Sequence, residues 1–272
     1  MTRVTLSEEQ LKLVQSYTLK MLVEVNRLCR KHELRYSLAY GTLLGAIRHK
    51  GFIPWDDDVD IWMPRRDLVK FREICKQELN SKFFYQSNET DKEYYLLFDK
   101  IRYNGTIFKE TYYEDYNIHH GVYIDIFPID NIPDGILADK WRIFSYEFCR
   151  IGIQTRYLKA DMRKGKKRIL AKILGKIYSP IPIAFLYKKG EVIAAKYSDV
   201  CCRKVSNIFF PDKSHRFDAN YFKNFIEVNF CGHKMMICAE FEKILFIEYG
   251  DYMKLPPENE RTPKHDLVEL KL

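Results

Sequence analysis

The sequence predicts an α/β (α+β) fold, a mixed sheet core followed by a mainly helical remainder. Strand-like and helix-like segments alternate up to about residue 130, the pattern of a mixed α/β domain, and beyond that point the apolar spacing becomes mostly helical. The chain has 272 residues, 46% of them apolar and 30% charged, which allows a sizeable core and excludes a disordered chain. A division near residue 135 is expected, with the core over 1–135 and the helical region over 136–272.

Ser7 and Gln10 form a capping-box pair that opens a helix running to about His32, with Leu11, Val14, Leu22, Val25, Leu28 and Cys29 on one face. Tyr36 to Tyr40 reads as a short strand, and Gly41 opens a short helix over Thr42 to His49. Asp58 to Met63 reads as a strand ended by Pro64. Asp67 to Asn80 is amphipathic, with Leu68, Phe71, Ile74, Cys75 and Leu79 inward. Asn104-Gly105 predicts a hairpin between two strands over residues 94–108. Val122 to Phe127 is a buried strand closed by Pro128. Helices follow over Leu137 to Leu158, Lys188 to Cys201 and Ala239 to Tyr249, the last stopped by Gly250.

Forty-five Lys and Arg against 37 Asp and Glu give a net charge of +8, which suggests an anionic partner without choosing among nucleotide, nucleic acid and acidic lipid. No nucleic-acid motif accompanies the charge, so no nucleic-acid partner is expected. Seven cysteines without a CxxC pair indicate neither a disulfide framework nor a zinc site, and Cys201 and Cys202 are expected as buried thiols in a cytoplasmic setting. Glu8, Glu9 and Lys12 interrupt any signal-peptide core, and no apolar run is long enough to span a bilayer.

The densest chemical signal is Gly41-Thr-Leu-Leu-Gly45 followed by Trp55-Asp-Asp-Asp-Val-Asp60. Side chains two apart on a strand share a face, so Asp58 and Asp60 project together while Val59 and Ile61 face the core. Paired carboxylates suit Mg²⁺ or Mn²⁺. A solvated acidic turn is the alternative, and the apolar residues Trp55, Val59, Ile61 and Trp62 among the acids weigh against it. Gly41 and Thr42 stand at a helix start, where backbone N–H groups can grip a phosphate. Asp125 is the lone charge in an apolar strand, and it serves either as a third carboxylate at the metal or as a structural Asp satisfied by backbone N–H groups or by Arg102. Arg48, and Lys100 with Arg102 two apart on one strand face, are candidate phosphate-binding cations. This set, Asp58, Asp60 and Asp125 with a Gly-Thr grip, suggests a nucleotidyltransferase-like fold.

The stretch from Tyr36 to Arg65, with Tyr123-Ile-Asp-Ile-Phe-Pro-Ile-Asp130 and Tyr249-Gly-Asp-Tyr-Met-Lys-Leu-Pro-Pro257 followed by Arg261 and His265, closely resembles the LicD family of phosphocholine transferases, which includes, more distantly, fukutin-related ribitol-phosphate transferases. Tyr40 stands where that family commonly has a small residue. The resemblance implies metal-dependent transfer of a phospho-alcohol, phosphocholine first, from a CDP-alcohol donor to a sugar hydroxyl of a cell-surface glycan or teichoic acid precursor, with release of CMP. Ribitol-phosphate or glycerol-phosphate transfer is the alternative within the family; a nucleic-acid-directed nucleotidyltransferase and a non-catalytic glycan-binding module are the alternatives outside it. By the same resemblance Asp58 and Asp60 ligate Mg²⁺ or Mn²⁺ and Asp125 is a third ligand or the base. Asp56 supports them, Asp57 faces away toward a basic residue, and His265 joins Gly41, Thr42, Arg48, Lys100 and Arg102 in binding substrate.

Choline would call for an aromatic cage, for which Tyr40, Trp55, Trp62, Tyr94, Tyr95, Tyr112, Tyr113 and Tyr123 are candidates. The basic run from Arg163 to Lys176 and the apolar stretch from Ile177 to Tyr187, broken by Pro180 and Pro182, form a segment suited to an anionic membrane surface. That suits a lipid-linked glycan acceptor and a cytoplasmic protein in peripheral contact with the inner face of the plasma membrane. The alternative is a solvated helix packed on the core through Ile169, Leu170, Ile173 and Leu174.

Overall fold

The computed structural model describes residues 5–157, 166–209 and 215–272, with the side chains of 166–168 outside the description. Helix α1 (Glu8–Lys31) begins with the expected capping box, Gln10 N–H donating to Ser7 Oγ and Ser7 N–H to Gln10 Oε1. Strand β1 is only Ser37–Leu38, and helix α2 (Tyr40–His49) starts two residues earlier than expected, with Tyr40 at a positive φ of 44°. Strand β2 (Asp60–Pro64) feeds directly into α3 (Arg65–Glu78).

The main sheet runs β1–β2–β6–β4–β3, where β3 is Phe83–Gln86, β4 Asp99–Tyr103 and β6 Tyr123–Ile132. Only the β2–β6 pair is parallel on this path. Strand β6 corrects two expectations. It continues through Pro128 to Ile132 instead of closing there. Asp125 N–H donates to Val59 O, so by alternation the N–H that Pro128 lacks belongs on the other edge, and there β4 has already ended at the Asp99↔Ile126 pair. That edge is then taken by β7 (Lys204–Ser206), which carries β8 (Arg216–Asp218).

The expected hairpin at Asn104-Gly105 does not form. Gly105 turns the chain at φ 81°, but both edges of β4 are occupied by β3 and β6, so β5 (Ile107–Glu110) leaves the sheet and pairs with β11 (Leu267–Lys271).

The later half contains α4 (Ile136–Tyr157), α5 (Lys166–Tyr178), α6 (Ile183–Ala195) and α7 (Phe241–Tyr249), which ends at Gly250. Helix α6 starts and ends earlier than the expected Lys188 to Cys201, beginning after Pro182, whose fixed φ suits a helix entry. A hairpin of β9 (Phe225–Phe230) and β10 (His233–Cys238), which the helical reading passed over, packs beside β1. The seven cysteines are free thiols; Cys202 is buried as expected, whereas Cys201 is exposed.

Candidate active site

The backbone register builds the site. Asp60 of β2 lies beside Asp125 of β6, and Asp125 lies beside Lys100 of β4, so three strands place Lys100, Asp125 and Asp60 in one row. Ahead of β2 the chain alternates: Asp56, Asp58 and Asp60 are half-buried, while Asp57 and Val59 are buried. Asp58 and Asp60 therefore share a side, as their spacing predicts, and Asp56 lies on it as well.

Thr42 positions this strand. Its hydroxyl accepts a 2.9 Å hydrogen bond from Asp60 N–H. Gly41 has a different purpose from a bare phosphate grip. A Cβ there would stand 2.8 Å from Asp56 Oδ2, so glycine lets the Asp56 carboxylate lie against the first turn of α2.

Asp57 turns inward and meets the C-terminal segment. His265 Nδ1 is 2.9 Å from Asp57 Oδ1, and the backbone N–H groups of Lys264 and His265 donate to the same carboxylate. The other ring nitrogen of His265 is 3.8 Å from Asp58 Oδ2 and 4.0 Å from Glu110 Oε1. Burial alone would lower the imidazole pKa; the bond to Asp57 and the charge of Asp58 overcome this and push it up to about 9. His265 is thus an imidazolium at neutral pH.

The carboxylates respond in the opposite sense. Burial, then the neighbouring charges of Asp58 and Asp57, push Asp56 up to about 8. Burial pushes Asp58 up to about 6, with His265 opposing. Asp60 is raised by burial, then by Asp58 and Asp125. Asp125 is also raised by burial, against the pull of Lys100, whose Nζ is 2.5 Å from Asp125 Oδ1. The structural alternative for Asp125 named Arg102, but the partner is Lys100.

Among the described residues, Asp56, Asp57 and Asp58 each offer an oxygen within 4.8 Å of the others, a set that leaves out Asp60 and Asp125. Both Asp57 oxygens are already engaged by the Lys264–His265 segment. Asp56, Asp58 and Asp60 are the half-open carboxylates. An oxygen-only set whose members repel one another fits a hard divalent cation.

Two expected substrate cations have structural duties instead. Arg102 is buried, donating to Gln86 Oε1 and Gly121 O. Arg48 donates to the carbonyls of Tyr252 and Lys254, which pins the loop after α7 onto α2. That loop and α2 enclose a cavity of about 490 Å³ lined by Arg48, Trp55, Tyr249, Tyr252, Lys254 and Lys264 among others, next in sequence to the acidic run. Of the aromatic candidates, Trp62 and Tyr94 are fully buried, and Lys100 and Arg102 lie over the Tyr123 ring, at 3.5 and 4.6 Å from its centroid.

Two buried carboxyl groups escaped the sequence reading. Among the described residues, Glu110 beside His265 has one oxygen with no hydrogen-bond partner, and Glu248 on α7 has two. Neither sits in a motif; Glu110 lies just past the strands read over 94–108, and Glu248 lies within the helix read to Tyr249.

The family profile described as "LicD/FKTN/FKRP, nucleotidyltransferase domain" matches residues 33–151. The lipopolysaccharide cholinephosphotransferase LicD of Haemophilus influenzae is 30% identical over 97% of this chain and 97% of its own length. Uncharacterised proteins of Rickettsia typhi and Rickettsia prowazekii are each 38% identical over 80 residues, 27% of this chain and 26% and 30% of theirs.

Proposed function

This chain belongs to the LicD family, and from that membership we propose that it is a transferase that moves phosphocholine from CDP-choline to a sugar hydroxyl of lipopolysaccharide, releasing CMP. The observation that supports this most directly is the row Lys100–Asp125–Asp60 standing beside Asp56 and Asp58. A Mg²⁺ or Mn²⁺ ion held by Asp56, Asp58 and Asp60 would neutralise charge on the donor diphosphate.

The protein's own groups do the rest. Lys254 and Lys264 attract the nucleotide phosphates, and Trp55 offers a stacking face in the same cavity. Asp125 uses the oxygen that Lys100 does not hold to take the proton of the attacking sugar hydroxyl. Its raised pKa suits a base that must receive that proton. The sugar oxygen forms a bond to the choline-bearing phosphorus, the bond from that phosphorus to the CMP oxygen breaks, and CMP leaves with the electron pair. His265 holds the acidic run in place through its contact with Asp57, and its charge opposes the rise of the Asp58 pKa.

The deciding experiment incubates the protein with CDP-choline, Mg²⁺ and lipopolysaccharide and follows CMP by chromatography, with CDP-ribitol and CDP-glycerol in parallel. CMP release with choline appearing on the glycan supports the reading. Preference for another CDP-alcohol, or nucleotide left on the acceptor, overturns it.

A further inference from the structure

We propose that the outward faces of α4, α5 and α6 form a docking surface for an anionic lipid bilayer. Helix α4 places Leu137, Trp141, Phe144 and Phe148 at i, i+4, i+7 and i+11, which is a single helix face. That face points to solvent: Leu137 is 82% exposed, Trp141 67% and Phe144 63%. Helix α5 repeats the pattern with Ile169, Ile173 and Ile177, all exposed. The reading of α5 as packed on the core through Ile169, Leu170, Ile173 and Leu174 therefore fails at three of the four, and only Leu174 packs against it. The two helices meet where Phe148 packs on the buried Tyr178, next in sequence to the exposed Ile177, ring centroids 4.9 Å apart. Soluble monomers rarely leave an apolar face of this extent uncovered.

Charge selects the occupant. The carboxylates of these three helices are Asp139, Glu147 and Glu191, and each is already ion-paired with arginine. Lys140, Lys172, Lys176, Lys188 and Lys189 are exposed on the same helices. A surface of isoleucine, phenylalanine and tryptophan set among lysines, with its acids neutralised, complements a bilayer rich in anionic headgroups. Arg163 and Lys164, and the side chains of Lys166, Lys167 and Arg168, which the sequence reading set in this segment, lie outside the described residues.

The contact is shallow. No single described helix is long and apolar enough to cross a membrane. Residues 169–178 and 183–195 would reach the required length and composition only as a pair bent by 92°, and α6 is held inside the protein by Leu186, Tyr187, Ile193 and Ala194.

The test is co-sedimentation of the whole protein with phosphatidylcholine vesicles, with and without phosphatidylglycerol. Binding is expected with phosphatidylglycerol and is lost in high salt. The pair Lys172→Glu and Lys176→Glu should weaken it by roughly tenfold or more. Ile169→Ser with Ile173→Ser and Ile177→Ser should weaken it as well, and Trp141→Ser does so from a different helix should the first variant fold poorly. Trp141 emission should shift to the blue on vesicles, a shift absent in Trp141→Phe. Unchanged binding in both the serine and glutamate variants overturns the proposal. So does a dimer, seen by sedimentation velocity without lipid, that the serine substitutions dissolve, because a second copy would then cover the face. These readouts involve no CDP-alcohol, so they stand or fall apart from the proposed activity.

Discussion

His265 and Asp57 lie 208 positions apart in the chain, yet the imidazole Nδ1 is 2.9 Å from the carboxylate. The contact ties the segment leading into β11 to the loop that carries the acids. In Asp57→Asn the imidazole loses its main partner, and its pKa should fall from about 9 by ~1 unit or more. The titration of the His265 ring proton by NMR reads this directly. Because the folded-state value lies above the ordinary 6.5, the stability this group contributes is complete below pH 6.5 and fades as pH rises through about 9. Wild-type melting temperature should therefore drop over that window more than that of His265→Asn.

Asp58→Asn and Asp60→Asn should each abolish CMP release while the fold persists. Both carboxyls have raised pKa values, so in metal-free protein each substitution removes a strained charge and should leave the melting temperature equal or higher. Mg²⁺ should raise the wild-type melting temperature and leave that of the variants nearly unchanged. Calorimetry with and without EDTA checks it.

Asp125→Asn should behave differently. It strands Lys100, a buried ammonium whose counter-ion is 2.5 Å away, at a cost of ~3–5 kcal/mol. The double variant with Lys100→Met should recover most of that loss in urea unfolding without recovering activity.

The Thr42 hydroxyl accepts from Asp60 N–H, so Thr42→Val should cost ~1 kcal/mol and lower kcat, while Thr42→Ser restores both.

Among the described residues neither Glu248 oxygen has a hydrogen-bond partner, and burial pushes the carboxyl up to about 8. Its folded-state value exceeds the ordinary 4.5, so the protein loses stability as pH rises from 4.5 through 8. Glu248→Gln should remove that slope and stabilise the protein above pH 8 by a few kcal/mol, about what a shift of this size implies. Melting curves on either side of about pH 8 would show it.

What the chain reveals by itself is what depends on neighbours in sequence. The capping box of α1 and the shared side of Asp58 and Asp60 follow from local spacing, whereas the turn of Asp57 away from them is implied only by the family resemblance. What it conceals depends on partners far away. Asn104-Gly105 has the chemistry of a hairpin, but β5 finds its partner more than 150 residues later. The turn between β9 and β10 hides for another reason: Cys231 takes a φ of 50° before Gly232, a conformation cysteine gives no hint of. Arg102 and Arg48 carry the charge of phosphate binders, and only the fold shows that carbonyl and amide oxygens have already claimed them.

Strand β6 bears Asp125 near one end and Asp130 five residues on, roughly 17 Å away along an extended chain. At Asp130 it is bolted through the buried Arg65 to Glu191 of α6. The strand that carries Asp125 and the helix α6 are thus tied to each other through one buried arginine, so the proposed docking face and the proposed base would move together. A protein seated on a bilayer by α4–α6 would hold Asp125 at a set height and tilt above the lipid, so the length of the sugar stem on a membrane-borne acceptor becomes a selection rule: hydroxyls at the matching height reach the base, and shorter or longer stems miss it.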